Sequence, residues 1–440
     1  MPLINVHWHL ILFIYLKILR IIISVLLVLL IFGIIYANYN LYYQPSLISQ
    51  NGVMLNYDLI KQLNYLENKL DNGVDHEMQK QYPEGFFFSN LMYGLTWCEF
   101  AVDLPEGSTL KNKAVEEAIN SLDKLKQDYC RQSFNKNLPL QFGAFYFSWT
   151  NYLRAKILML SNSFAGRDRI ISEFNFNCDT LSKIIFTSES PFFESYPEQY
   201  WPADILPGIA SLSLHNKLFG NKYDSTIAYW FDMVESIQNP GVIIFPHSVN
   251  NRGVALQSAR GSSLGLILIL LKEISEIDAG GIYSLYNRAY KTSFLGLPLI
   301  HEYSGNNYGE GDIDSGPVIC GYGSVATIIG SGVFRGYGEL GLTEQLNQTI
   351  EFLGFPYENS ETKIYLAGQI PMADFFIAWV KSLKTLEYKT INHNTNQHWR
   401  LWVQIISYLI VSVLIVLIVA LSRKKNIKKQ KRDAIASLIF

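Results

Sequence analysis

Long apolar stretches occupy both ends of the chain, and the region between them alternates between apolar and charged segments. Residues 10–37 carry no charge other than Lys17 and Arg20, and residues 401–421 carry none at all. At a rise of about 1.5 Å per residue, either stretch can cross the roughly 30 Å hydrocarbon core of a bilayer as a helix. The pattern predicts an N-terminal stub and transmembrane helix at 1–38, a domain at 39–400, a second transmembrane helix at 401–421 and a tail at 422–440.

Within the central domain, two kinds of helical pattern follow each other in turn. The first kind places apolar residues at i, i+3 and i+4 with charged residues between them, which is typical of a helix with one exposed face. The second kind is nearly uncharged and rich in small and apolar residues, so such a helix must be buried on every side. Half-exposed helices are predicted at 57–72, 110–129, 167–187, 222–237, 281–294 and 342–353, and buried helices at 86–101, 146–160, 202–214, 262–271, 317–334 and 371–383.

Twelve helices that alternate in this way form six hairpins, with an outer ring and an inner ring. Connections from a buried helix to the next half-exposed helix are short, such as 103–108 and 163–166. Connections in the opposite direction are commonly longer than the roughly 12 to 15 residues that mark functional loops. All long loops would then lie on one rim, at the N-termini of the inner helices. Two separate helical bundles are the alternative, but they would not require this asymmetry. The predicted fold is all-α, an (α/α)6 toroid flanked by one transmembrane helix at each end.

The alternation over residues 57–386 resembles the architecture of the six-hairpin toroid superfamily. Its members include glucoamylase-like glycosidases, unsaturated glucuronyl hydrolases, several polysaccharide lyases and a terpene alcohol dehydratase-isomerase. The resemblance rests on the alternation of helices and implies a toroid fold. No catalytic signature of a member family matches this sequence residue by residue, so no catalytic position is carried over.

Charges that flank the two apolar stretches predict the orientation of the chain. Lys17 and Arg20 lie toward the N-terminal side of the first stretch, residues 37–60 contain no cation, and seven cations follow the second stretch within 423–432. Since positively charged flanks stay in the cytoplasm, both termini are predicted there, with the domain outside, in a two-pass protein of the plasma (inner) membrane. A cleaved signal peptide is the alternative at the N-terminus, but its apolar region would be about half as long.

The charge of the domain limits its partners. The whole chain carries −2, the first 37 residues carry +2 and the residues after Leu421 carry +6, so residues 38–400 carry −10. An exported domain this acidic is a poor candidate for binding nucleic acid. The segment GYGSVA at 321–326 matches the sequence motif of a dinucleotide-binding loop. That motif requires a preceding strand, and a helix is predicted there instead. We expect no cofactor. Cys98, Cys130, Cys178 and Cys320 show no zinc-site or disulfide-framework spacing and are buried thiols or disulfide partners.

The loop before the fifth inner helix is the richest in carboxylates. Glu310, Asp312 and Asp314 alternate along it, just before a proline that suits the first turn of a helix. Three interpretations are open. Asp314 or Ser315 caps the helix, or the crowded carboxylates form a general acid beside a base. The third is a calcium site, although the twelve-residue calcium loop is absent.

The third and fourth long loops supply further candidates. Asp204 lies in the first turn of a buried helix, where the helix dipole favours a carboxylate, and could pair with Asp312 or Asp314 as glycoside hydrolysis requires. Arg260 could clamp an anionic ligand or pair with a rim acid, and His247 is a catalyst or a hydrogen-bonded loop histidine. The catalytic candidates are Asp204, Asp312, Asp314, Glu310 and His247, and the candidate substrate-binding residues are Arg260, Arg252, Trp201, Tyr200, Tyr196, Trp149, Tyr308 and Glu302.

A mouth lined by aromatic side chains and a few carboxylates suits a sugar-like ligand. The leading hypothesis is a membrane-anchored extracytoplasmic enzyme, a glycoside hydrolase or lyase that acts on cell-envelope or extracellular glycans, with the bilayer and the glycan as partners. One alternative is a lyase or dehydratase-isomerase acting on an isoprenoid-like substrate. The other is a non-catalytic glycan-binding envelope protein.

Overall fold

The computed structural model describes residues 2–50, 52–237, 244–305, 309–312, 315–385 and 398–436. These residues are mostly helical, and their strands are two to four residues long. The helices are α1 (Pro2–Asn40), α2 (Tyr57–Asp71), α3 (Val74–Gln81), α4 (Gly85–Ala101), α5 (Thr109–Leu125), α6 (Asp128–Arg131), α7 (Gly143–Leu160), α8 (Arg167–Thr187), α9 (Pro202–Phe219), α10 (Asp224–Ser236), α11 (Gly261–Ile274), α12 (Glu276–Ala289), α13 (Ser324–Gly336), α14 (Leu340–Gly354), α15 (Pro371–Ser382) and α16 (Trp399–Ala436). The strands are β1 (Leu47–Gln50), β2 (Val53–Asn56), β3 (Glu194–Tyr196), β4 (Gln199–Tyr200), β5 (Ser248–Val249), β6 (Ala255–Gln257), β7 (Lys291–Phe294), β8 (Leu297–Ile300), β9 (Val318–Ile319), β10 (Tyr322–Gly323), β11 (Tyr357–Glu358) and β12 (Lys363–Ile364).

Six of the helices close into an inner ring. Helix α4 packs against α7, α7 against α9, α9 against α11, α11 against α13 and α13 against α15, which returns to α4. The helices α5, α8, α10, α12 and α14 each pack on the inner helix that precedes them, and α2 closes the outer ring against α15. The predicted toroid of six inner and six outer helices is therefore confirmed.

The inner helices are buried because they carry almost no charge. Every residue of α4 except Phe88 and every residue of α7 except Met159 is buried. Trp149 of α7 and Trp379 of α15 meet edge to face with ring centroids 6.2 Å apart, although their helices are not neighbours in the ring. The middle of the ring is therefore a packed aromatic core, and a ligand would meet the ring at one of its rims.

The two ends of the ring differ as the loop lengths predict. The long connections precede the inner helices and contain strands β3 to β12. Strands β3 to β6, from the third and fourth long loops, form one antiparallel sheet, and a bridge between Arg260 and Tyr303 joins the fourth loop to the fifth. We call this end the long-loop rim and the opposite end, which carries the short connections, the short-loop rim.

Two predicted helix boundaries in the fifth long loop are wrong. The helix predicted at 281–294 ends at Ala289, where the β7–β8 hairpin follows, and the helix predicted at 317–334 begins at Ser324, after the β9–β10 hairpin. The second hairpin turns at Cys320 and Gly321, both with positive φ. Since a glycine permits such a tight turn, this two-residue feature overrides the apolar pattern around it.

The terminal helices contain the spans Ile14–Asn40 and Trp399–Ser422, which are long and apolar enough to cross a membrane. Helices α1 and α16 pack against each other. At their shared end, Arg400 Nε donates a hydrogen bond to Leu41 O at 3.0 Å, and Arg400 Nη2 donates to Gln348 Oε1 of α14 at 2.6 Å. Both terminal helices are thus joined to the toroid through α14.

Candidate functional site

Arg260 lies at the centre of a polar cluster where the fourth and fifth long loops meet. Its guanidinium forms a hydrogen-bonded ion pair with Asp312. A second nitrogen, Nη2, donates to Gln257 Oε1 at 2.9 Å, and the guanidinium carbon lies 5.6 Å from the centroid of the Tyr303 ring. Three partners therefore hold Arg260 in one orientation, and of the two interpretations of this residue the structure shows the pairing with a rim acid.

Asp312 is an ionised and accessible carboxylate. Ser315 N donates to Asp312 Oδ1 at 2.9 Å, and Asp312 N donates to Ser315 Oγ at 2.9 Å. Partial burial favours the neutral form, but the hydrogen bonds from Arg260 and Ser315 lower the pKa of Asp312 to about 2. The side chain is 41% exposed, so a ligand can reach it. The prediction that Ser315 caps a helix is wrong, because Ser315 closes this local turn and the next helix begins at Ser324.

Glu302 is the buried carboxyl of the same cluster. Its Oε1 accepts a hydrogen bond from Ser262 Oγ at 2.6 Å, and its Oε2 accepts one from Ser262 N at 3.3 Å. Burial raises the pKa of Glu302 to about 7, although the Ser262 hydrogen bonds and the Arg260 charge act against it. A side chain at Gly323 would crowd this carboxyl, since a Cβ there would lie 2.8 Å from Glu302 Oε2 and 2.9 Å from Ala326 Cβ. Near neutral pH Glu302 can hold a proton that Asp312 cannot.

His247 lies close enough to Arg260 and Asp312 for both charges to act on it. Its Nδ1 lies 3.2 Å from Ser263 Oγ, in the first turn of α11. Burial and then the charge of Arg260 lower the pKa of His247 to about 4. The imidazole is therefore neutral at pH 7, and its Nδ1 can either donate a hydrogen bond to the Ser263 hydroxyl or accept one from it.

Asp204 belongs to a second group on the same rim, which the first three long loops build. Ser195 Oγ donates a short hydrogen bond to Asp204 Oδ2. The Tyr196 hydroxyl donates to Glu84, and its ring packs edge-on against Trp201 with centroids 6.2 Å apart. This group combines a carboxylate with aromatic rings, as a sugar-binding surface does.

The antiparallel sheet joins the two groups. Tyr200 of β4 pairs with Val249 of β5, two residues after His247. A cavity of about 190 Å³ opens beside Tyr200, on the side of the sheet that faces the second and third loops. A larger cavity of about 360 Å³ lies at the short-loop rim, far from the candidates. The smaller cavity is lined by Pro139, Leu140, Ser188, Glu189, Ser190, Phe192, Phe193, Glu194, Tyr200 and Asn251.

The remaining candidates do not join either group. Glu310 is exposed, and its backbone oxygen accepts a hydrogen bond from the Tyr303 hydroxyl at 2.9 Å. Arg252 is exposed at the turn between β5 and β6, and Trp149 is fully buried in the aromatic core of the ring. Asp314 and Tyr308 lie outside the described residues.

Three residues with distinct environments were not among the predicted candidates. Ser262 and Ser263 contact Glu302 and His247 as described above. Asp374, in the first turn of α15, accepts a hydrogen bond from Tyr365 N at 3.0 Å, and burial raises its pKa to about 8. A sequence signal exists for Asp374, because it follows a helix-opening proline at nearly the spacing that places Asp204 in α9.

Metal and cysteine chemistry can be assessed within the ranges described above. There, no group of three or more His, Cys, Asp or Glu side chains is arranged to hold a metal ion. Cys98, Cys130 and Cys178 are buried free thiols, and Cys320 is an exposed free thiol. The site is thus described by its carboxyl, hydroxyl, imidazole and guanidinium groups.

Comparisons with known proteins were made for the whole chain. No protein-family model matches it, and a search of curated proteins finds no match. The class of the protein therefore follows from its own fold and site. It is an all-α toroid with an apolar helix at each end and an ionisable cluster on its long-loop rim.

Proposed function

We propose that the chain is a membrane-anchored extracytoplasmic enzyme that acts on a glycan by acid–base chemistry between carboxyl groups. The observation that carries the proposal is the pair of carboxyls beside Arg260. The pKa of Glu302 is raised to about 7 and that of Asp312 is lowered to about 2. Two neighbouring carboxyls whose environments push their pKa values apart are typical of sites that transfer protons.

The accessible members of the cluster define the roles that we assign. Asp312 faces solvent, stays ionised through Arg260, and acts as the base or as the anion that stabilises a developing positive charge. Glu302 is buried and does not touch the substrate, so it is a positioning residue that acts through Ser262. When Glu302 is protonated it can donate to Ser262 Oγ, and the serine hydroxyl hydrogen is then free to point toward a ligand.

A glycan is the substrate class that the rest of the rim favours. Asp204 supplies a second carboxyl, hydrogen-bonded to Ser195, which lies between the cavity residue Glu194 and the Tyr196 ring that packs on Trp201. Hydrolysis would need one group to protonate the leaving oxygen and one to take a proton from water, and a lyase would need a base to remove a carbon-bound proton. In either reaction Asp312 would take the proton, and a protonated Glu302 would pass one to the leaving oxygen through the Ser262 hydroxyl.

We propose the orientation from the flanking charges. The seven cations after residue 422 and the pair Lys17 and Arg20 favour a cytoplasmic location for both ends of the chain. The acidic domain would then lie outside the cytoplasm, where envelope glycans are found. Reporter fusions at Met1, at Phe440 and in the domain at Gly305 test this arrangement, and an extracytoplasmic C-terminus would refute it.

Loss of turnover in an Asp312→Asn variant tests the chemistry. The full chain in lipid nanodiscs is incubated with a panel of envelope polysaccharides. New reducing ends report hydrolysis, and the ultraviolet absorbance of an unsaturated product reports elimination. We expect Asp312→Asn to lower turnover by about 10²- to 10⁴-fold, the usual contribution of a general acid or base.

The matched control is Glu310→Gln. It removes a carboxylate two residues away whose side chain is exposed and outside the cluster, so turnover should stay at the wild-type level. If Asp312→Asn and Asp204→Asn both leave turnover unchanged, these carboxylates are not catalytic. If the wild type itself binds a glycan without turning it over, the non-catalytic glycan-binding alternative gains support.

A further inference from the structure

Helix α14 shows which rim of the toroid lies nearer to the apolar span of α1. Near the start of α14, Glu344 accepts a hydrogen bond from Gln44 at 2.7 Å. Beyond its end, the Phe355 ring packs on Tyr36 with centroids 6.3 Å apart, and a Cβ on Gly33 would lie 3.7 Å from that ring. The chain leaves the apolar span from Gly33 toward Gln44, so α14 runs back toward the span and ends beside it.

This direction sets the position of the whole long-loop rim. The outer helices end where the long loops begin, so the end of α14 marks the level of that rim. Gly33 lies seven residues before the end of α1 at Asn40, which corresponds to about 10 Å along the helix. The long-loop rim therefore lies level with the apolar part of α1, and the short-loop rim points away from it.

The β7–β8 hairpin lies at the same level beside α16. A Cβ on its turn residue Gly296 would lie 2.8 Å from Trp402 Cβ, and Leu297 is buried against Trp399. The other turn residue, Leu295, has φ 51° and is 54% exposed. A leucine with left-handed backbone angles is strained, and a side chain exposed to water gains no free energy from burial. Packing within the fold therefore does not explain a leucine at this position.

Exposed apolar side chains concentrate on this side of the rim. Among the described residues, none of the large exposed apolar side chains lies in the first three long loops, 72–84, 126–142 and 188–201. Eleven lie in or next to the fourth, fifth and sixth loops, and we call this set the apolar face: Ile244, Val254, Leu256, Phe294, Leu295, Ile319, Leu353, Phe355, Tyr357, Leu366 and Ile370.

We propose that the apolar face rests on the outer leaflet of the bilayer that holds α1 and α16. Exposed apolar surface on this scale marks an interaction surface, and its part at Phe355 and the β7–β8 turn contacts the two apolar helices directly. The candidate site between the fourth and fifth loops then opens toward the lipid headgroups, and its substrate enters from the membrane surface. The inference rests on the proposed membrane insertion of the terminal helices and is independent of the proposed chemistry.

Cys320 offers a natural probe of this contact. It is exposed next to Ile319 on the apolar face, whereas Cys98, Cys130 and Cys178 are buried. The full chain, with a nitroxide on Cys320, is reconstituted in phosphatidylcholine vesicles. Relaxation by oxygen, which partitions into lipid, is compared with relaxation by a water-soluble nickel chelate. We expect a higher oxygen-to-nickel accessibility ratio at Cys320 than at a label on Asn221→Cys in a Cys320→Ser background, because Asn221 is exposed at the short-loop rim.

Two further variants make the result decisive. Leu295→Asn creates an Asn-Gly turn, which suits the hairpin, and should raise nickel accessibility at Cys320 without unfolding the chain. Asp312→Asn should leave the ratio unchanged, so failure of the catalytic proposal is recognised separately. Equal ratios at the two rims would overturn the membrane contact. Spin–spin broadening that disappears on dilution with unlabelled chain, with no oxygen preference, would instead assign the face to a second copy and would also overturn it.

Discussion

Two buried ionic clusters of this protein contain the same kinds of groups and differ in how their charges are matched. The packed cluster consists of Asp58, Glu351, Lys363 and Lys381, where the sixth hairpin meets the segment after α1. Glu351 Oε1 lies 2.7 Å from Lys381 Nζ, and Glu351 Oε2 lies 3.1 Å from Lys363 Nζ. Each side chain is at most 3% exposed. Two acids thus face two lysines almost entirely shielded from solvent, and at the edge of the cluster the half-exposed Glu358 lies 4.0 Å from Lys363.

The rim cluster, His247, Arg260, Glu302 and Asp312, has no such balance. One cation stands between two carboxyls, and only Asp312 forms an ion pair with it. In the packed cluster, burial acts against ionisation, but Lys381 and Lys363 lower the pKa of Glu351. At the rim, burial raises the pKa of Glu302, whereas hydrogen bonds lower the pKa of Asp312. Matched buried charges thus stabilise a junction between elements, whereas an unmatched, partly open set of charges is suited to proton transfer.

The largest expected effect concerns the packed cluster. Lys381→Met leaves Glu351 buried with one of its two cations removed, and we expect a loss of about 3–5 kcal/mol in the free energy of unfolding. Lys384→Met is the matched control. Its partner Asp103 is 60% exposed, so the loss should be about 0–1 kcal/mol. Denaturant unfolding of the detergent-solubilised chain measures both. Similar losses of unfolding free energy in the two variants would show that the packed cluster does not have this structural role.

The pH dependence of stability sharpens the contrast at the rim. The pKa of Glu302 is raised from 4.5 to about 7, so its contribution is complete below pH 4.5 and disappears as the pH rises to 7. The pKa of His247 is lowered from 6.5 to about 4, so its contribution is complete above pH 6.5 and disappears as the pH falls to 4. Between about pH 4.5 and 6.5, a rise in pH therefore lowers the free energy of unfolding through Glu302 and raises it through His247.

In the Glu302→Gln variant, the pH dependence of stability that comes from His247 should no longer be opposed by that of Glu302. Unfolding free energies of the wild type and the variant, measured from pH 4 to 8, should differ in slope. The variant gains stability relative to the wild type as the pH rises from 4.5 to 7, on the order of 3 kcal/mol in total. Parallel curves would show that Glu302 has an ordinary pKa in the folded protein.

A smaller effect is expected from Arg260→Gln. Arg260 helps to hold the pKa of Asp312 near 2, so its removal should raise that pKa by about 1–2 units. The acid limb of the turnover profile should move to higher pH by the same amount. If the limb stays in place, Asp312 is not the group whose ionisation controls turnover.

The helices of the toroid could be predicted from the sequence because burial leaves a local mark. Inner helices such as α4 and α7 carry charge only near their C-terminal ends, at Glu99 and at Arg154 and Lys156, whereas outer helices carry a charged residue every few positions. The β9–β10 hairpin was not predicted, because its sequence signal is the turn at Cys320 and Gly321 and this turn lies in an apolar segment. Helix alternation also predicted that the long loops share one rim.

The site could be predicted only in its parts. Arg260, His247 and Asp312 carry their chemistry in their side chains, and their position before inner helices places them on the rim. The pairing of Arg260 with Asp312 spans 52 residues, and the burial of Glu302 against Ser262 spans 40. Such contacts depend on how two loops fold together, for which one sequence has no local pattern. Trp149 shows the same limit, since it lies near a rim loop in sequence and in the packed core in space.

The central claim is that Glu302 keeps its proton near neutral pH while its neighbour Asp312 is ionised. Infrared difference spectroscopy of the full chain, recorded between pH 5 and pH 8 for wild type and Glu302→Gln, tests it directly. We expect the wild type to show a protonated-carboxyl band that disappears with a midpoint near pH 7 and is absent from the variant, in which the band of Asp374, with a pKa of about 8, remains. Identical difference spectra for the two proteins, or a midpoint below pH 5, would contradict the account.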